Sequence, residues 1–217
     1  MSLTLQLPLI AILRGIAPDE VLAHVDVLVE EGWDAIEVPL TSPDWQQSLE
    51  LAVQHHGQRV CLGGGTVLTH TQVEQLARTG GRLMLTANTN TRVIRHGVAQ
   101  NLTVMAGFAT ASEAFAAIAA GAQALKLFPA ETYGPAHLRA LRAVLPACPI
   151  YAVGGITTHT LANWVRAGCD GAGIGSELYR AGQGIERTRS QARAFREAWQ
   201  EASASPSHRS VAVCRAL

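Results

Sequence analysis

A chain of 217 residues with 48% hydrophobic content is long and apolar enough to bury one substantial core, and its main body nowhere has the composition of a disordered segment. Its 17 cationic and 17 acidic residues cancel and no basic cluster stands out, which argues against nucleic acid or an anionic membrane surface as a partner. No apolar run approaches bilayer-spanning length, no signal segment opens the chain, and Cys61, Cys148, Cys169 and Cys214 form no C-x-x-C pair, so a reduced, cytoplasmic protein is expected.

Short strand-like runs alternate with amphipathic helical stretches. Leu7 to Arg14 reads as a first strand; Pro18 opens a helix with Val21, Val25, Leu28 and Val29 on one face, ended by Gly32. Ala35 to Leu40 is the second strand, and Ser42-Pro43 offers an N-cap and a first-turn proline for a helix that stops at Gly57. Val60 to Val67 is the third strand, with Gly63-Gly64-Gly65 inside it, and Thr71 with Glu74 reads as a capping box for the third helix, closed by Gly80-Gly81. Arg82 to Asn88 and Thr103 to Gly107 are the fourth and fifth strands, separated by a helix from Thr91 to about Gly97. Thr110 with Glu113 reads as another capping box, ahead of an alanine-rich helix that stops at Gly121.

Ala124 to Pro129 is the sixth strand, after which Tyr133-Gly134-Pro135 starts the sixth helix. Pro149 to Gly155 is the seventh strand, Thr157 or Thr158 caps a helix ending at Gly168, Gly171 to Ser176 is the eighth strand, and Glu186 to about Ala202 is the last helix. Each unit is one strand plus one crossover helix. Eight such units close a parallel barrel, whereas an open doubly wound sheet usually has fewer strands. The expected fold is therefore a single-domain (β/α)8 TIM barrel over residues 1–202, with 203–217 an exposed C-terminal tail.

In such a barrel, reactive groups stand at the C-terminal ends of the strands above apolar inner layers. Arg14, Glu37, Thr66, Asn88 and Lys126 fall at or near strand ends and are expected at one mouth. Lys126 stands apart as the only lysine beside 16 arginines. A chain that meets every other cationic need with Arg has no solvation reason to put one ammonium inside an apolar strand. Lysine, unlike arginine, can shed its proton and attack a carbonyl as a free amine, and apolar surroundings are expected to lower its pKa for that task.

Glu37 reads either as a proton-transfer group or as a buried partner of Arg14. Thr66 reads either as a site residue or as a β-favouring residue that satisfies the backbone. Gly154-Gly155 and Gly173-Ile174-Gly175-Ser176, which end the last two strands, let backbone N–H groups approach an anion near a helix N-terminus, where barrels commonly hold phosphate. The eight histidines lack metal-binding spacing, so no metal site is expected, and no nucleophile elbow supports Ser-His-Asp chemistry.

Ile36-Glu37-Val38-Pro39-Leu40, Gly63-Gly64-Gly65-Thr66-Val67, Leu125-Lys126-Leu127-Phe128-Pro129-Ala130-Glu131 and Val153-Gly154-Gly155-Ile156 resemble, in that order, the motifs of the 2-keto-3-deoxy-6-phosphogluconate (KDPG) and 2-keto-4-hydroxyglutarate (KHG) aldolase family of class I aldolases. The resemblance implies that Lys126 is the Schiff-base lysine and Glu37 the general acid/base. It further implies that Thr66 holds the bound keto acid, Arg14 its carboxylate, and Gly154, Gly155, Gly175 and Ser176 the phosphate.

Val153 stands where gluconate-type members commonly have Thr, and Thr41 where some have Arg; both favour the branch acting on the galactonate epimer. The implied reaction cleaves 2-dehydro-3-deoxy-6-phospho-D-galactonate to pyruvate and D-glyceraldehyde 3-phosphate without metal or organic cofactor, in a homotrimer. Gly64, Ala87 and Ala106 depart from the family's usual alanine and two prolines, at positions expected to line or support the pyruvyl pocket. Competing readings are the gluconate-epimer or 4-hydroxy-2-oxoglutarate aldolase, a phosphosugar isomerase or epimerase working without an imine, and a non-catalytic phosphate-binding barrel.

Overall fold

The computed structural model describes residues 5–204. Eight parallel strands close into a barrel in sequence order, with the first hydrogen-bonded to the last: β1 (Leu9–Ile12), β2 (Ala35–Pro39), β3 (Cys61–Gly65), β4 (Leu83–Leu85), β5 (Thr103–Phe108), β6 (Ala124–Leu127), β7 (Ile150–Val153) and β8 (Gly171–Ile174). Between and after them run α1 (Pro18–Glu30), α2 (Trp45–His56), α3 (His70–Arg78), α4 (Thr91–Ala99), α5 (Ala111–Ala119), α6 (Ala130–Arg142), α7 (Thr158–Arg166) and α8 (Ile185–Ser203). The expected (β/α)8 barrel is the fold observed.

Strand alternation sorts the apolar residues into two layers. Ile10, Leu83, Leu85, Met105, Ala124 and Tyr151 pack inside the barrel, while the opposite faces of the strands pack against the helices. Val21, Val25 and Leu28 of α1 are fully buried, as their spacing predicts. Thr110 with Glu113 forms the expected capping box, and Thr157 caps α7 with Thr160 as its partner.

Several local expectations differ from the structure. Ser42 does not cap α2: the Ser42 N–H closes a turn onto Pro39 O, and its Oγ accepts from the Gly15 N–H at 2.9 Å, which leaves Asp44 as the cap residue. The capping box of α3 is Thr69 with Gln72, two residues ahead of Thr71 and Glu74, because only that pair exchanges both backbone bonds. In α6, Gly134 (φ 75°, ψ 164°) interrupts the helix, so Pro135 starts its second part while residues 130–133 already form a helical turn.

Helix α8 runs through Ser203, whose Oγ donates to Trp199 O at 2.8 Å, one residue past the expected boundary. Beyond Ala204 the expected tail, with Cys214, lies outside the described residues. No helix among them is long and apolar enough to cross a membrane.

Candidate active site

Lys126 follows Ala124 by two residues on β6, so both point into the barrel; Ala124 sits in the inner apolar layer and Lys126 sits above it. The same step carries Glu37 above Ala35 on β2. Both are buried, Lys126 at 4% and Glu37 at 2% exposure. Burial pulls the Lys126 ammonium's pKa below the usual lysine range, against the opposing pull of the Glu37 charge. Burial likewise pushes the Glu37 carboxyl above the usual carboxylate range, although Lys126 and Arg14 act in the other direction. Each group is thereby biased toward its neutral form.

Glu37 fits because β3 gives up its side chains. A Cβ at Gly65 would lie 1.8 Å from Glu37 Oε2, and one at Gly63 would lie 1.8 Å from Leu83 O. Gly65 is therefore the slot for the carboxyl group, and Gly63 lets β4 approach closely. Glu37 Oε2 has no hydrogen-bond partner among the described residues. Arg14 instead donates to Thr41 Oγ1 at 3.1 Å, so the direct Arg14–Glu37 pairing left open by the sequence is not formed. The Lys126 Nζ lies 5.0 Å from the centroid of the Phe128 ring, a geometry that favours a cation at that nitrogen.

Next to these two groups opens a cavity of about 850 Å³, a size suited to a small phosphorylated acid. Arg14, Thr66, Val153, Gly154, Gly155, Gly175 and Ser176 all line it. Lys126 and Glu37 are not among its lining residues; they adjoin it through Phe128, whose ring meets Lys126 Nζ, and through Ile12, the β1 neighbour of Glu37. Thr66 is held at φ 61°, a left-handed conformation that a β-branched residue resists, and this backbone strain belongs to a wall residue of the site. Gly154 and Gly155 turn at φ 101° and 71°, and the Glu131 N–H donates to Gly154 O at 3.1 Å, tying the turn to the start of α6.

At Gly175 an added Cβ would meet nothing within 4 Å, so one side of that backbone is open. The Leu178 and Tyr179 N–H groups donate back to Gly175 O at 2.8 and 3.0 Å. The loop after β8 thus opens with one tight turn and runs on irregularly to α8, which starts only at Ile185; no regular helix begins beside this anion position on the β8 side among the described residues.

Asn88 does not share the mouth. Strand β4 ends at Leu85, Thr86 Oγ1 donates to Asn88 O at 2.6 Å, and Asn88 opens onto a separate groove with Thr89 and Asn90. Of the three departures from the family pattern, only Ala87 lines the cavity; Gly64 faces Leu40 and Leu76, and Ala106 packs in the outer layer, so neither shapes a pyruvyl pocket. Phe128, Glu131 and Arg180 also line the cavity and were not singled out by the sequence. Phe128 and Glu131 fall within a quoted motif, but Arg180 lies in an irregular loop and leaves no periodic signal.

A family model described as KDPG and KHG aldolase matches residues 2–191. The chain is 54% identical over 198 residues to the 2-dehydro-3-deoxy-6-phosphogalactonate aldolase of Escherichia coli (strain K12), covering 91% of this chain and 97% of that protein. It is 46% identical over 186 residues to a probable 2-dehydro-3-deoxy-6-phosphogalactonate aldolase of Rhizobium meliloti (strain 1021), covering 85% and 88% of the two chains. A solved structure described as native KDPGal superposes with a TM-score of 0.93 at 52% identity, covering 94% of this chain and all of the other.

Proposed function

Because this chain belongs to the KDPG and KHG aldolase family, we propose that it is a Schiff-base aldolase cleaving 2-dehydro-3-deoxy-6-phospho-D-galactonate to pyruvate and D-glyceraldehyde 3-phosphate. The observation that carries this reading is the sole lysine, buried within electrostatic reach of the buried Glu37 carboxyl group and against Phe128 of the cavity wall. The neutral Lys126 amine attacks the C2 ketone, and the carboxylic acid form of Glu37 gives the proton with which the C2 oxygen leaves as water, producing a protonated imine and the Glu37 carboxylate. Glu37, through a water, takes the C4 hydroxyl proton; the C3–C4 bond breaks, its electron pair passes into the imine as an enamine, and the aldehyde leaves. Protonation at C3 by way of Glu37 and hydrolysis of the imine release pyruvate. The imine is the electron sink, so the scheme calls on neither metal nor organic cofactor.

Thr66 and Arg14 bind the keto-acid end, and Gly154, Gly155, Gly175 and Ser176 the phosphate. The electrophilic carbon lies at the floor while the anionic ends meet polar groups above it. Val153 supports the galactonate epimer, because it offers an apolar surface where gluconate-type members offer a hydroxyl. Free thiols at Cys61 and Cys169 suit a cytoplasmic enzyme. Family resemblance and the exposed apolar Phe115, Tyr133 and Val144 support a homotrimer, for which light scattering should return three times the chain mass.

Pyruvate with borohydride, followed by peptide mass spectrometry, tests the chemistry: a reduced adduct is expected on Lys126, and a folded, active protein without one would move the isomerase reading ahead. Assay of both C4 epimers tests the substrate. Val153→Thr should relax the preference for the galactonate form, and an unchanged ratio would remove Val153 from the account.

A further inference from the structure

The loop after β8 is held by a buried polar network that the proposed chemistry does not use. His24 of α1 is 2% exposed; its Nδ1 lies 2.9 Å from Thr188 Oγ1 on α8, and its ring meets that of Tyr179 edge-on with centroids 4.9 Å apart. Tyr179 lines the cavity and donates to Glu20 Oε2 at 3.3 Å. Gln183 ties the loop together. Its Oε1 accepts from the Arg180 N–H at 3.1 Å, which orients the amide so that Nε2 donates to Leu178 O at 2.8 Å and to Thr188 Oγ1 at 2.7 Å. Thr188 Oγ1 accepts from Gln183, and His24 Nδ1 is the acceptor that its one proton meets among the described residues, an arrangement that makes that nitrogen an acceptor and the ring neutral.

We infer that His24 is a positioning residue for the phosphate end of the site: acting through Thr188, Gln183 and Tyr179, it holds the loop from Gly175 to Arg180 in its receiving shape, and does so only while neutral. The inference rests on the reading of Gly175 and Ser176 as phosphate ligands. A proton on Nδ1 would turn the Thr188 hydroxyl proton away from the ring and leave it without its acceptor, at the point where Gln183 ties the loop to α8. The charge acting on His24 is Glu20 on its own helix, while the loop presents Tyr179 and α8 the uncharged Thr188. Burial holds the imidazole below its ordinary pKa despite Glu20, so the ring is neutral at neutral pH and charges only as the solution turns acid. Tyr179, pushed up to about 12 by burial and Glu20, stays a phenol throughout.

The test is condensation of pyruvate with glyceraldehyde 3-phosphate and with unphosphorylated glyceraldehyde, for wild type, His24→Asn and His24→Leu, from about pH 5 to 8. Asparagine keeps an acceptor at the Nδ1 position without titrating; leucine removes it. His24→Leu should raise KM for the phosphorylated acceptor about tenfold, leaving KM for pyruvate and turnover of the unphosphorylated acceptor unchanged. His24→Asn should match wild type at neutral pH, and the ratio of wild-type to Asn KM should rise in acid; ionisation of the phosphate itself, near pH 6, is common to both proteins and cancels.

Equal effects on both acceptors, no effect of His24→Leu, or superimposable wild-type and Asn profiles would overturn the inference. Wild type using both acceptors equally well would instead remove the phosphate reading on which it rests, without any variant. Should His24→Leu not fold, Thr188→Val, which keeps the shape and deletes the hydroxyl, carries the same expectation.

Discussion

Two buried carboxylates in this barrel are treated in opposite ways. Glu31, at the end of α1, is 4% exposed and meets Arg193 at 2.7 Å, Arg196 at 3.4 Å and Arg189 at 3.9 Å, all from α8. The Arg193 hydrogen bond, helped by the other charges, holds it below the usual carboxylate range despite burial. Glu37, at 2% exposure, has an oxygen with no partner among the described residues and is held above that range. The first closes the helical ring where α8 returns to α1, next to the Trp33 Nε1–H bond to Ala192 O. The second is left underpaired next to the one lysine. Both carboxylates are screened from solvent, but Glu31 lies near the surface under a half-exposed Arg193 and Glu37 lies deep in the barrel; what separates the fastener from the proposed proton carrier is depth together with whether the fold supplies partners for the ionised form.

The sharpest way to break this contrast starts at the lysine. Lys126→Arg keeps the charge and removes the neutral amine, so turnover should fall to background and borohydride trapping of pyruvate should vanish; substantial residual turnover would end the Schiff-base account. Next, Glu37→Gln should lower kcat by about 10²–10⁴ while pyruvate is still trapped on Lys126. Its effect on stability has the opposite sign to that of an ordinary buried-charge mutation. The folded pKa of Glu37 is raised, so its ionisation opposes folding: the penalty is absent below the ordinary carboxylate range and complete above the folded pKa. The Gln variant should therefore melt no lower than wild type at neutral pH, and a drop of several degrees would make Glu37 a structural residue.

Glu31→Gln is the mirror experiment. Its folded pKa is lowered, so its contribution to stability is present above the unfolded value near 4.5 and is lost as pH falls through the folded one. The variant should melt several degrees lower at neutral pH, converge on wild type in acid, and leave kcat and KM alone. The smallest effect is expected at Thr66. Replacing it with Gly relieves about 1 kcal/mol of left-handed strain and forfeits a similar amount to chain entropy, so the melting temperature should hold while KM for pyruvate rises a few-fold.

How much of this was legible in the sequence follows from what each residue depends on. Lys126 announced itself through composition, since one lysine among arginines is a choice visible without coordinates. The barrel followed from eight repeated strand–helix units. By contrast, Gly63, Gly64 and Gly65 look alike on paper, and only the register of β3 sends Gly65 toward Glu37 and Gly64 toward Leu40 and Leu76. Ser42 has the right chemistry for a cap, but the Gly15 N–H competes for it from 27 residues away. Asn88 was misplaced because a strand's last residue is set by its neighbours' hydrogen bonds, and Arg180 was missed because an irregular loop has no period to read.

The gap that accommodates Glu37 also constrains the order in which this chain can change. Alanine at position 65 would bring a methyl group to 1.8 Å from Glu37 Oε2, so the buried carboxyl group would have to move aside to admit it. Once Glu37 is shortened, the same methyl group becomes filler for a hole. A lineage that gave up the acid first could then take the alanine at a gain in packing, and from that point restoring the glutamate alone would meet a blocked slot. Loss of the proposed activity would become hard to reverse through one glycine beside the acid.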